Sequence, residues 1–86
     1  MTWGSISFVL KSRQRLILLR LLENPKTPTQ IACIMHSSLA NISLKLADLS
    51  KKGLIECVNP EDLKGRIYRM THRGKQVLKK IAEMEK

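Results

Sequence analysis

Two helix starts close together in the sequence, at Thr27 and at Ser38, constrain this chain more than anything else it contains. Thr27-Pro28-Thr29-Gln30 is a capping box. The Thr27 hydroxyl can accept from the Gln30 amide, Gln30 can reach back to the Thr27 amide, and Pro28 stands at the first helical position, where no donor is needed. The body of this helix, Gln30 to Met35, is expected to turn Ile31, Ile34 and Met35 inward, with Ala32 small enough for close helix packing. It ends at His36-Ser37. Ser38 then caps a second helix by bonding the amide of Asn41 or its predecessor. Leu39, Ile42, Leu46 and Leu49 recur there at helical spacing, which leaves Ala40, Asn41, Ser43, Leu44, Ala47, Asp48 and Lys51 on the opposite face. Gly53 ends the helix as a left-handed cap, and Lys51 and Lys52 complement its dipole. The rest of the chain has to hold this pair, extend it and charge its surroundings.

Before the pair, Ser12 caps a core helix running through RQRLILLRLLE to Glu23 or Asn24 and stopped by Pro25. Leu16, Leu19 and Leu22, flanked by Ile17 and Leu18, give it a broad apolar face, while Arg13, Arg15 and Arg20 take wet positions. Residues 1–10 form an apolar arm with Trp3, Ile6, Phe8, Val9 and Leu10. Its backbone can be a short helix or extended. Either it packs on the chain's own core or it joins a dimer contact, where Trp and Phe are favoured anchors. After the pair, Leu54 to Val58 and Arg66 to Met70 are runs of strand type around the turn segment NPEDLKG. An isolated hairpin is only marginally stable, so this one must lie against the helices, with Tyr68 and Met70 on one face. Thr71 caps a last helix whose apolar stripe is Val77, Leu78, Ile81 and Met84.

At 86 residues the chain is expected to form one domain around one small core. Sixteen Lys and Arg against seven Asp and Glu leave a formal charge of +9. That exceeds the roughly 2 to 8 charges that keep a small domain soluble, and it suits a polyanion, nucleic acid ahead of an anionic membrane surface. Cys33 and Cys57 belong to no ligand spacing and read as small buried hydrophobes, although Cys33 with His36 keeps the spacing of a shared ligand pair. No secretory signal and no run of 18 apolar residues is present, which predicts a cytoplasmic protein with no membrane span. There is no phosphate-cradling glycine loop, HExxH motif or nucleophile elbow, and His36 and His72 fall at helix boundaries. No enzyme, no metal site and no cofactor is expected.

SRQRLILLRLL, KTPTQIA, the run from Ser38 through KKGLIECVNP, and KGRIYRMTHRGKQVL cover nearly everything after Leu10. In order and spacing they resemble the winged helix-turn-helix domains of MarR- and ArsR-type regulators, and more closely the small archaeal transcription regulators of that superfamily. The resemblance implies an α+β fold of three helices, a β-hairpin wing and a C-terminal helix. Residues 28–53 would be the helix-turn-helix, 54–70 the wing and 71–86 the last helix, with the cysteine-rich metal-sensing signature of some ArsR-type proteins missing. It also implies a DNA-binding regulator, a homodimer on double-stranded DNA, with the third helix in the major groove and the wing over the backbone or the adjacent minor groove.

Within that frame the first two turns of the third helix reach base edges. Ala40, Asn41, Ser43 and Leu44 are the candidates there, Asn41 first because its amide can pair bidentately with adenine. Alternatively Asn41 only partners the Ser38 cap. Lys45, with Thr29, Gln30 and Ser38 near helix N-termini, is expected on the DNA backbone, and Arg13 and Arg15 are weaker candidates. In the wing, Gly65 lets the backbone turn while Lys64 and Arg66 suit phosphate or a narrow minor groove; a charged hairpin tip can also be merely solvated. Leu44 departs from the family pattern, which often has a basic or polar residue at this exposed position, and Leu39 and Ala40 make the helix entrance apolar. That leaves three openings: a thymine methyl is read, the surface is partly a protein contact, or selectivity is low. The alternatives to a regulator are therefore a protein-interaction winged helix in a transcription complex and a non-specific architectural DNA binder.

Overall fold

The computed structural model describes residues 2–62 and 64–84, with side chains from residue 4 onward, so the Trp3 side chain proposed as a dimer anchor lies outside the described part, as do residues 85 and 86, where the last helix is expected to end. The chain runs α1 (Thr2–Leu10), α2 (Arg13–Leu21), α3 (Pro28–Met35), α4 (Leu39–Lys51), β1 (Ile55–Cys57), β2 (Tyr68–Met70) and α5 (His72–Met84). This is the expected α+β order with one helix more, because the arm is helical. Its Ile6 and Val9 are buried in the chain's own core, and it packs against α2 and α5.

Every cap read from the sequence is made. Ser12 accepts from the Arg15 amide, Thr27 and Gln30 form the reciprocal capping box, Ser38 accepts from the Asn41 amide at 3.1 Å, and Thr71 accepts from the Gly74 amide. The end of α4 closes with Gly53 at φ +74°, its amide bonded to the Ser50 carbonyl and the Leu54 amide to the Leu49 carbonyl. Leu54 and Leu49 are both fully buried, the apolar contact that accompanies such a cap. The turn between α3 and α4 uses the same device with His36 at φ 53°, a conformation that residues other than Gly, Asn and Asp seldom adopt.

The core is drawn from all parts of the chain. Leu18, Leu19 and Leu22 from α2 and its end meet Ile31 of α3, Ile42, Leu46 and Leu49 of α4, and Val77 and Ile81 of α5. Ile55 and Met70 carry the hairpin onto it. β1 and β2 are antiparallel, pairing Ile55 with Met70 and Cys57 with Tyr68. They are shorter than the runs that announced them. A third segment joins, since Lys26 and Tyr68 exchange backbone hydrogen bonds of 3.0 and 2.8 Å, mooring the α2–α3 link to the hairpin.

Several side chains expected inside stand outside. Ile34 is 49% exposed, because the eight-residue α3 buries one line of contact and Ile31 with Ala32 occupy it. Leu39 is 51% exposed: it heads α4 one turn before the buried Ile42 and borders an open groove instead of the core. Met84 ends α5 past Ile81, the last buried side chain of that helix. Cys33 is exposed and Cys57 half-buried, which corrects their reading as buried hydrophobes.

Thr71 joins the parts that carry the candidate interface. Its amide donates to the Leu54 carbonyl at 2.9 Å, and its hydroxyl donates to the Gly53 carbonyl at 2.6 Å while accepting from the Gly74 amide. The end of α4, the end of β2 and the start of α5 therefore meet at one residue.

Candidate nucleic-acid interface

The entrance of α4 and the hairpin loop face each other across an open groove of about 380 Å³ lined by Thr27, Pro28, Thr29, Leu39, Ser43, Lys64, Gly65, Arg66 and Tyr68. Five residues singled out from the sequence, Thr29, Ser43, Lys64, Gly65 and Arg66, thus share one feature of the surface. Thr27, Pro28, Leu39 and Tyr68 were not singled out for it. Tyr68 is half-buried, and its backbone pairing with Lys26 brings the hairpin up to the start of α3.

The loop is built around Asn59, which the sequence reading passed over. Its Oδ1 accepts from the Ile67 amide at 2.7 Å, and its Nδ2 donates to Asp62 Oδ2 at 2.8 Å and to the Gly65 carbonyl at 3.2 Å. Arg66 is held as well, Nε donating to the Asp62 carbonyl at 2.8 Å, and the residue lines the groove. Gly65 turns the backbone at φ +69°, with open space where a Cβ would stand. The signal for Asn59 was present, an Asn before Pro in a turn segment, where its side chain can replace backbone partners. Asn59→Ala is expected to lower stability by about 1 to 2 kcal/mol, since it leaves the half-buried Ile67 amide unsatisfied. Hydrogen exchange should show the Ile67 amide losing protection while Met70 keeps its own; unchanged protection at Ile67 would remove Asn59 from this role.

On the other flank of α4 the polar candidates hold one another. Asn41 Nδ2 donates to Ser37 Oγ and its Oδ1 accepts from Lys45 Nζ, both at 3.1 Å. Neither end of the Asn41 amide is idle in the free protein. Lys45 keeps two further ammonium donors. Gln30 is likewise engaged in its capping box and Ser38 in its cap. Ala40, Ser43 and Leu44 stand outward, Leu44 at 68% exposure, the highest among the described large hydrophobic side chains.

Arg15 is drawn away from any such surface. Its guanidinium lies 3.9 Å over the Phe8 ring and donates to the Phe8 carbonyl at 2.9 Å, while the Lys52 ammonium stands 5.2 Å from the same ring. Cation–π contacts of this kind tie α1 to α2 and to the end of α4. Among the described residues no group of three or more His, Cys, Asp or Glu side chains is placed to hold a metal ion, and no described helix is long and apolar enough to cross a membrane.

No protein-family model matches the chain, and no curated protein matches it in sequence. Solved structures do. A MarR family transcription regulator is 31% identical with a TM-score of 0.68, the match covering 84% of this chain and 49% of that one. A possible transcriptional regulatory protein from Mycobacterium bovis, solved as a fragment, is 24% identical with a TM-score of 0.75, covering 98% and 87%. A mutant of MarR from E. coli, solved in complex with operator DNA, is 23% identical with a TM-score of 0.70, covering 84% and 53%. The chain spans about half the length of two of these, the MarR family regulator and the E. coli MarR mutant. The shared architecture is the winged helix: α3 and α4 form the helix-turn-helix and the β1–β2 hairpin is the wing.

Proposed function

We propose that this chain is a DNA-binding transcription regulator of the cytoplasm that works as a homodimer. The observation that carries the reading is the groove between the entrance of α4 and the Lys64-Gly65-Arg66 wing tip, in a chain of net charge +9. A solved structure of the same architecture, complexed with operator DNA, supports it. In this reading α4 enters the major groove with Ala40, Asn41, Ser43 and Leu44 at base edges. Thr29, Gln30, Ser38 and Lys45 position the backbone, and Lys64, Gly65 and Arg66 lie on the adjacent phosphates or minor groove. Asn41 has to exchange Ser37 or Lys45 for a base, so its bidentate contact is a trade and not a pure gain. The order of the motifs is the support for a closer kinship with small archaeal regulators.

The 68% exposure of Leu44 favours one second reading, a protein-interaction winged helix. Selection of bound duplexes from a random pool tests both. A regulator acting as a dimer enriches a palindrome with half-sites one helical turn, about 10 base pairs, apart. Binding without enrichment indicates an architectural DNA binder, and no binding at low salt ends the DNA reading in favour of the protein partner.

A further inference from the structure

The outward face of α4 is apolar where a groove-entering helix would meet base edges. Ala40, Leu44 and Ala47 recur at spacings of four and three, so they form one stripe, and all three are exposed. Leu39 and Ser43 flank the stripe on the side of the wing groove, Leu39 at 51% exposure. The one amide in the first two turns, Asn41, is bonded at both ends within the protein, and Lys45 is bonded to it. Ser43 has a hydroxyl, which accepts or donates and so discriminates little. What this helix offers a base edge is therefore chiefly methyl and methylene surface.

Only one base presents an apolar group in the major groove, thymine, through its C5-methyl. Resting on the DNA reading proposed above, we infer that α4 reads thymine methyls, with Leu44 and Leu39 as the specificity-determining side chains and Ala40 allowing close approach. The cations that would hold the helix against the duplex stand around this face, at Lys45 on one flank and at Lys64 and Arg66 across the groove. That frame of positive charge around an apolar centre fits a polyanion carrying methyl groups better than it fits an apolar protein surface, which would leave those charges without partners. Leu39 and Leu44 are five residues apart, about 7.5 Å along the axis, which corresponds to roughly two base-pair steps of 3.4 Å. The thymines read should be separated accordingly.

The test takes the sequence enriched from the random pool and rebuilds it with deoxyuridine in place of thymine, a change that removes the C5-methyl and keeps every hydrogen-bonding group. Binding of the full chain is expected to weaken about fourfold for each methyl contacted. Leu44→Ser, at an exposed position that should leave the fold intact, should weaken binding to the thymine duplex more than to the uracil duplex and so shrink the difference between them. Equal affinity for the two duplexes overturns the inference while the DNA reading stands. A thymine preference that survives both Leu44→Ser and Leu39→Ser overturns the assignment to these side chains. Failure to bind any duplex at low salt removes the DNA reading and this inference together.

Discussion

Gly74→Ala is expected to destabilise the protein by at least about 3 kcal/mol, at the upper end of what overpacking normally does. Gly74 is buried in the first turn of α5, and a Cβ there would overlap the Leu54 carbonyl oxygen and come within 2.5 Å of Met70 Cγ. The methionine can swing aside. The carbonyl cannot, because it accepts the Thr71 amide and belongs to the segment that closes α4. Helix propensity pulls the other way by about 1 kcal/mol, so the overlap decides the sign. A domain of this size has a total stability of only about 4 to 13 kcal/mol, which makes the loss a large share of it. Gly4 supplies the control, since it lies within α1 with nothing inside 4 Å of a Cβ. Gly4→Ala is expected to stabilise by up to about 1 kcal/mol. Urea titration of the two variants compares them, and a neutral Gly74→Ala would mean that α5 does not approach Leu54 this closely.

Salt is the second large lever. Lys45, Lys64 and Arg66 are the cations assigned to phosphate, so a dimer would neutralise six phosphates and give a log–log slope of about −5 in salt. Between 50 and 200 mM its affinity should fall by about a thousandfold. One copy bound alone would give a slope near −3 and a fall of about fortyfold. Arg66→Ala should flatten the slope by about one unit for each bound copy. A flat salt dependence would exclude these residues from phosphate contact, and a slope near −3 would exclude the dimer.

What the sequence revealed were the features set by neighbours along the chain. Ser12, Thr27, Ser38 and Thr71 cap helices because the partner amide is three residues on, and Gly53 ends α4 in the left-handed conformation a glycine adopts freely. The exposure of Leu39 and Ile34 was not legible, since helical spacing tells which residues share a face but not how far the neighbouring elements extend over it. Gly74 looked like a weak position in a helix, and only the approach of Leu54, twenty residues earlier in the chain, gives it a reason. The Lys26–Tyr68 bridge depends on three elements already being in place. For the candidate interface, the groups that surround the wing groove were partly named in advance, whereas the engagement of Asn41 with Ser37 and Lys45 was not, because one partner lies in the turn before α4 and the other a helical turn on, and a side chain there has several other choices.

The meeting of α4, the hairpin and α5 at Thr71 has a mechanical side. α5 runs thirteen residues from this joint, a lever of about 20 Å. At its root the Thr71 bonds to Leu54 and Gly53, and the absence of room beside Gly74, seat the start of α5 tightly against the end of α4. Farther along, α5 packs against α1 and α2 and buries Val77 and Ile81, so a load applied near Met84 is shared between those helices and this joint. A displacement of the root of α5 would reach the end of α4 and the end of β2 together, because Thr71 follows β2 directly and bonds to Gly53 and Leu54.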